Sequence, residues 1–112
     1  MIPEAAGKPG TQLTLATTTE GEVAIVRCTG RLVAGITGIL QDEVRGLLPG
    51  PKRIVLDLAD LSYMDSSGLG TIIGLHTSAK SQGARLELNN LNARVRELFK
   101  ITNVLSLFEV VT

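Results

Sequence analysis

Apolar residues near the start of the chain alternate with polar ones. Leu13 and Leu15 follow this period of two inside Thr11–Thr19, and a second alternating run covers Glu22–Thr29. Alternation of apolar and polar residues is typical of strands with one buried face. The Glu20-Gly21 dipeptide between the two runs indicates a turn. We therefore predict that the chain begins with a two-stranded hairpin.

Three later segments show the three- and four-residue spacing of amphipathic helices. The first begins near Leu32, after Gly30 ends the second strand, and stops at Pro49-Gly50-Pro51. The second is predicted over Ser66–Ser81. The third follows a turn at Asn89-Asn90, and either Asn90 or Asn92 caps it. Its apolar positions are Leu91, Val95, Leu98 and Phe99.

Short apolar runs between these helices predict three further strands. Arg53–Leu58 contains a continuous Ile-Val-Leu run, which is typical of a parallel strand with both faces covered. Arg85–Leu88 and Leu107–Val111 are the other two. The resulting order, β-β-α-β-α-β-α-β, predicts an α/β fold. It forms one domain over residues 11–112, after a flexible Pro- and Gly-rich segment at residues 1–10. The predicted core includes Leu56, Leu58, Ile72, Ile73, Val95 and Leu98.

Composition restricts the possible partners of this domain. The 112 residues carry 11 basic and 11 acidic side chains, so no net charge attracts nucleic acid. Arg94, Arg96 and Lys100 are offset by Glu97, and we interpret them as a solvated face. No apolar segment is long enough to span a membrane, and the N-terminus lacks the apolar core of a signal peptide. We therefore expect a cytoplasmic protein with no nucleic-acid or membrane partner.

The single cysteine, Cys28, cannot form an internal disulfide. It lies in the alternating run of the second strand, which predicts that the thiol is a small buried hydrophobic group.

The stretch Tyr63–Gly70 joins the central strand to the second helix and carries two serine hydroxyls and a carboxylate at the predicted helix start. A helix N-terminus has unpaired N–H groups and the positive end of the helix dipole. It favours Asp or Ser as a cap and stabilises an added phosphate. Gly68 and Gly70 remove side chains from the first turn, so the surface of another protein is expected to come close there.

Enzyme chemistry does not fit this stretch. A serine hydrolase needs glycine two residues before its nucleophile, where this chain has Met64 or Asp65. The only histidine, His76, follows Ser66 by ten residues on the same predicted helix, about 15 Å along its axis. His76 also lacks metal-ligand partners at helical spacing. We therefore predict no catalytic activity, no metal and no cofactor.

The motif Asp65-Ser66-Ser67-Gly68-Leu69-Gly70, set behind Ile54–Leu58 and Tyr63-Met64, resembles the STAS domain of bacterial anti-sigma factor antagonists. The likeness extends from Thr11 to Thr112 and is sharpest between Ile54 and Gly74. It implies a mixed sheet of about five strands with an N-terminal hairpin and three to four helices. In that family a partner kinase phosphorylates the serine directly after the aspartate of the motif, and Ser66 matches that position.

The resemblance implies a binding module that phosphorylation switches. Unphosphorylated, it binds an anti-sigma factor serine kinase and so releases a sigma factor; a serine phosphatase restores that state. The chain is then a monomer or weak dimer. Asp65 either caps the helix or helps to present Ser66. The partner-binding residues that the resemblance implies are Asp65, Ser66, Ser67, Gly68, Leu69, Arg31 and Val33.

Arg31 and Val33 depart from the family pattern. Members commonly have Gly-Glu-Leu-Asp where this chain has Gly30-Arg31-Leu32-Val33, so two negative charges are lost near the motif serine. The alternative is therefore a constitutive STAS subunit of a transporter-associated or other multiprotein complex, in which Ser66 is only a helix cap. A neighbouring gene for a kinase-like protein or for transporter components would distinguish the two hypotheses.

Overall fold

The computed structural model describes residues 13–102 and 109–110. The predicted flexible segment at 1–10 lies outside them, as do residues 11 and 12 of the first predicted strand and most of the last one. The order of elements confirms the predicted α/β fold. The elements are β1 Leu13–Glu20, β2 Val23–Leu32, α1 Thr37–Leu47, β3 Arg53–Met64, α2 Ser66–Ser81, β4 Arg85–Asn89, α3 Ala93–Ile101 and β5 Glu109–Val110.

The five strands form one mixed sheet in the order β1-β2-β3-β4-β5. β1 and β2 pair antiparallel with Glu20 opposite Val23, which confirms the hairpin. The other neighbours are parallel. Right-handed crossovers between parallel strands that follow one another across a sheet place their helices on the same face. The sheet therefore has one face toward α1, α2 and α3.

The hydrophobic core lies between that face and the helices. Leu56 of β3, Ile72 of α2 and Val95 of α3 belong to one buried cluster, as predicted. Leu58 is also buried, whereas Ile73 and Leu98 are only half-buried at its edge, so their predicted full burial is wrong. The difference arises because each helix turns only part of its apolar stripe directly onto the sheet.

Cys28 is fully buried in this core, as predicted. Burial, together with the negative charge of Asp57, raises the pKa of its thiol to about 12. A thiol with that pKa is protonated at neutral pH and is a poor nucleophile.

Ion pairs lie on the face of the sheet that is opposite the helices. Glu87 is 2% exposed. It accepts hydrogen bonds from Arg53 at 2.7 and 3.1 Å and forms an ion pair with Arg85 at 3.1 Å. Asp57 lies 3.5 Å from Arg27 and accepts hydrogen bonds from Asn90 and from the N–H of Ala59. Burial raises the pKa of Asp57, but these hydrogen bonds and the Arg27 charge outweigh burial and hold the pKa below its usual value.

The segment between β2 and α1 differs from the prediction. β2 continues past Gly30 to Leu32, with irregular pairing to β3 around Gly30, and α1 begins at Thr37. Gly35 has φ +92°, a left-handed conformation that a helix cannot include. Leu32 is fully buried at the end of a strand. Leu32 thus belongs to the buried core, as its spacing to the apolar residues of α1 indicates, but it is a strand residue and not a helical one.

β3 is also longer than predicted, because it runs to Met64 rather than Leu58. Thr29–Leu32 of β2 pair with the added residues. Farther along, Asn92 caps α3, and its Oδ1 atom accepts from the N–H of Val95 at 2.9 Å. Asn90 instead occupies the turn with φ +59°.

Candidate functional site

β2 and β3 end side by side, and this places the loop after β2 against the start of α2. Leu32 lies opposite Met64 in the parallel register. The N–H of Asp65 donates to the carbonyl of Leu32 at 3.3 Å, and α2 begins at the next residue. In α/β sheets, loops at the carboxyl ends of neighbouring parallel strands form the usual place for a binding site.

The carboxylate of Asp65 holds this junction together. Its Oδ1 accepts from the N–H of Gly68 at 3.0 Å, which makes Asp65 the N-cap of α2. Its Oδ2 accepts from the N–H of Ala34 at 3.1 Å, across to the loop after β2. These donors, Ala34 first and Gly68 second, hold the pKa of Asp65 below its usual value. The cap interpretation of Asp65 is therefore confirmed.

We expect the stability that Asp65 contributes to depend on pH. Because its pKa is lower in the folded chain than in the unfolded one, the contribution is complete above the unfolded pKa of about 3.9. It is lost as pH falls through the folded value. Urea unfolding should therefore show wild type more stable than Asp65→Ala at pH 7, with a smaller difference at about pH 3. An equal difference at both pH values would contradict this role.

Ser66 and Ser67 are the first two residues of α2, and both are exposed. Neither hydroxyl makes a hydrogen bond to any residue that the structure describes. Since Asp65 is the cap, the hypothesis that Ser66 is only a helix cap is wrong. The Ser66 hydroxyl instead faces solvent at the positive end of the α2 dipole, where an added anion is favoured.

Gly68 is buried, and the surface that comes close to it belongs to the same chain. A Cβ atom at Gly68 would collide with the Leu32 carbonyl oxygen and would lie 2.8 Å from Cγ of Met64. The expectation that this glycine makes room for another protein is therefore corrected, because Leu32 fills the space. Gly70 is exposed and has open space at its Cβ position. Leu69, 6% exposed, packs into the core.

The two residues that depart from the family pattern lie beside this junction. Arg31 is exposed near the end of β2 and pairs with Tyr63 in the β2–β3 register. Its guanidinium carbon is 5.6 Å from the centre of the Tyr63 ring. Val33 is half-buried in the following turn, where its carbonyl accepts from the N–H of Ile36.

Two residues near the motif were not predicted from sequence. Arg94 of α3 also lies over the Tyr63 ring, 5.9 Å from its centre. Arg94 is exposed, as the interpretation of a solvated face expects, and it lies over the Tyr63 ring as well. Tyr63 is the only tyrosine of the chain, and its place two residues before the motif was the one available indication.

Within the range that the structure describes, no group of three His, Cys, Asp or Glu residues could hold a metal ion. His76 is half-buried in α2. Among residues 13–102 and 109–110, no helix has the length and apolar content needed to cross a bilayer.

Comparison with known proteins identifies the family of the chain. The STAS domain family matches residues 14–112 of the chain. A STAS-domain containing protein of Pseudomonas aeruginosa is 30% identical over 91 residues, which cover 81% of this chain and 90% of that protein. An anti-sigma-B factor antagonist of Bacillus subtilis is 35% identical over 72 residues, 64% of this chain and 66% of the relative. The solved structure of the unphosphorylated anti-sigma factor antagonist SpoIIAA matches with a TM-score of 0.70 at 24% identity, covering 89% of this chain and 88% of SpoIIAA.

Proposed function

Because the chain belongs to the STAS domain family, we propose that it is an anti-sigma factor antagonist. Unphosphorylated, it binds an anti-sigma factor serine kinase in the cytoplasm, and this releases a sigma factor. Phosphorylation of Ser66 ends the complex, and a serine phosphatase restores it. The observation that carries this proposal is the exposed Ser66 hydroxyl at the first position of α2, directly after the Asp65 cap.

The geometry favours a switch with little change of fold. A phosphate on Ser66 adds nearly two negative charges at pH 7. The N-terminus of α2 tolerates these charges, because the helix dipole is positive there. At a surface that docks onto another protein, the same charges repel acidic neighbours and must be desolvated. The phosphorylated chain therefore stays folded but loses its partner.

The proposed contact surface combines exposed and buried residues. Arg31, Ser66 and Ser67 offer exposed side chains, and Asp65 and Val33 are half-buried beside them. Gly68 and Leu69 are buried, so they contribute to this surface only by fixing the position of the first turn of α2. We propose that the chain acts as a monomer or weak dimer and that it has no catalytic turnover of its own. The γ-phosphate and the catalytic base come from the kinase.

A second candidate follows from Arg31 and Val33. If the loss of two acidic positions means that no kinase accepts this chain, it acts as a constitutive subunit of a transporter-associated or other multiprotein complex. Ser66 is then an exposed surface residue, since Asp65 already caps α2. Kinase-like genes beside this one favour the first function, and transporter genes favour the second.

Phosphorylation by the cognate kinase tests the proposal directly. Incubated with the kinase and ATP, the wild-type chain should gain one phosphate by intact-mass measurement. Ser66→Ala should gain none, although it still binds the kinase. Its free energy of unfolding should change by no more than about 0.5 kcal/mol, because Ser66 is exposed and is not the cap.

Ser67→Ala is the matched control, because Ser67 is the next residue of the same helical turn and is also exposed. We expect it to be phosphorylated like wild type. A phosphate on Ser66→Ala, or loss of modification only in Ser67→Ala, would remove Ser66 from its proposed role.

A further inference from the structure

Arg31, Tyr63 and Arg94 form a cluster, here called the arginine–tyrosine cluster. The two guanidinium carbons lie 5.6 and 5.9 Å from the centre of the Tyr63 ring. The two guanidinium carbons are thus at most about 12 Å apart, so both positive charges lie on one small patch of the surface. Neither arginine has an ion-pair partner in the part of the chain that the structure describes. The ring stabilises each cation only modestly, so the cluster favours an added anion.

An apolar groove of about 430 Å³ adjoins this cluster. Met64 of β3 and three residues of α3, Val95, Leu98 and Ile101, line it, with Tyr63 and Arg94 at its side. Ile101 is 72% exposed and Tyr63 is 38% exposed, so the groove is open to solvent. Glu97 also lines the groove and is the acidic side chain there. The groove has room for at least one large apolar side chain.

We propose that the groove and the arginine–tyrosine cluster together bind an acidic segment of the partner kinase. A large apolar side chain of that segment enters the groove between Met64 and Ile101. One or two neighbouring carboxylates pair with the guanidinium groups of Arg31 and Arg94, which suit planar bidentate partners. This proposal rests on the proposed function and names the chemistry of the partner.

Two observations favour this occupant. The surface is positively charged and apolar, which an acidic amphipathic segment complements. The groove is also continuous with the proposed switch surface, because Met64 directly precedes Asp65, and Arg31 lies in the strand paired with Tyr63. A nucleic acid is disfavoured, since the chain has no net charge and the groove itself is apolar. Because Arg31 is positively charged, it also acts as a specificity residue: it repels a kinase that has a basic patch at this position.

Charge reversal at the cluster tests the proposal. The measurement is a calorimetric titration with the anti-sigma factor kinase that modifies the wild-type chain. Arg31→Glu and Arg94→Glu should each raise the Kd for the kinase about tenfold. Higher salt should reduce the difference in Kd between wild type and each variant. Tyr63→Ala should also weaken binding, because the ring beside both guanidinium groups is lost. Melting temperatures of all variants are measured to confirm that each is folded.

Lys100→Glu is the matched control. It makes the same change of charge on an exposed residue of α3 that does not line the groove, and we expect less than a twofold effect. If the kinase binds and both arginine variants match Lys100→Glu, the docking proposal is wrong and the antagonist function stands. If no kinase binds or modifies the wild-type chain, the proposed function fails and the docking proposal fails with it.

Discussion

Replacing Gly68 with alanine is expected to lower the free energy of unfolding by about 2–3 kcal/mol. The added methyl group would collide with the carbonyl oxygen of Leu32 and crowd Cγ of Met64. Met64 has a flexible side chain, but the Leu32 carbonyl is backbone and accepts the N–H of Asp65. The clash can therefore be relieved only if β2 moves away from the start of α2. That movement disturbs both the core and the candidate site.

Gly70 and Gly74 provide matched controls on the same helix. A Cβ atom at either position meets nothing within 4 Å. Alanine there should stabilise the chain by up to about 1 kcal/mol, because glycine is the poorer helix former. Urea unfolding at pH 7 should thus give shifts of opposite sign for Gly68→Ala and Gly70→Ala. Equal shifts would show that helix propensity alone decides and that the contact with Leu32 is not tight.

Gly68→Ala should also affect the site. The Asp65 carboxylate joins Gly68 to Ala34, so displacement of the helix start disturbs both hydrogen bonds. We expect weaker kinase binding as well as lower stability, whereas Gly74→Ala should change the stability without changing the affinity.

The parts of the site that sequence predicted correctly are those that local chemistry decides. Helix α2 covers Ser66–Ser81 as predicted, because an acidic cap, a helical spacing of apolar residues and Gly83 after its end all agree. The hairpin and the order of elements followed from equally local patterns. Agreement between propensity, pattern and capping is what makes such segments predictable.

The errors occur where distant contacts decide. Nothing in Ala59–Ser62 predicts a strand, yet these residues extend β3 because β2 pairs beside them. Leu32 has helical spacing to the residues after it, but pairing with Met64 and the left-handed Gly35 keep it out of α1. The contact of Arg94 with Tyr63 joins α3 to β3 and has no local pattern at all. The same reason explains why Gly68 was expected to make room for another protein, when Leu32 of the same chain lies against it.

Ser66→Asp is expected to weaken kinase binding about a hundredfold, which corresponds to about 2.7 kcal/mol. The substitution places one negative charge at the exposed first position of α2, within the proposed docking surface. One unpaired charge buried at an interface has an effect of this size. The fold should remain, because an acidic residue at a helix N-terminus interacts favourably with the dipole.

Thr77→Asp controls for the charge alone, since Thr77 is exposed on the same helix about 16 Å along the axis from Ser66. We expect less than a twofold change for Thr77→Asp. Equal affinities of wild type and Ser66→Asp would mean that Ser66 lies outside the docking surface, and the chain would then be a constitutive binding module.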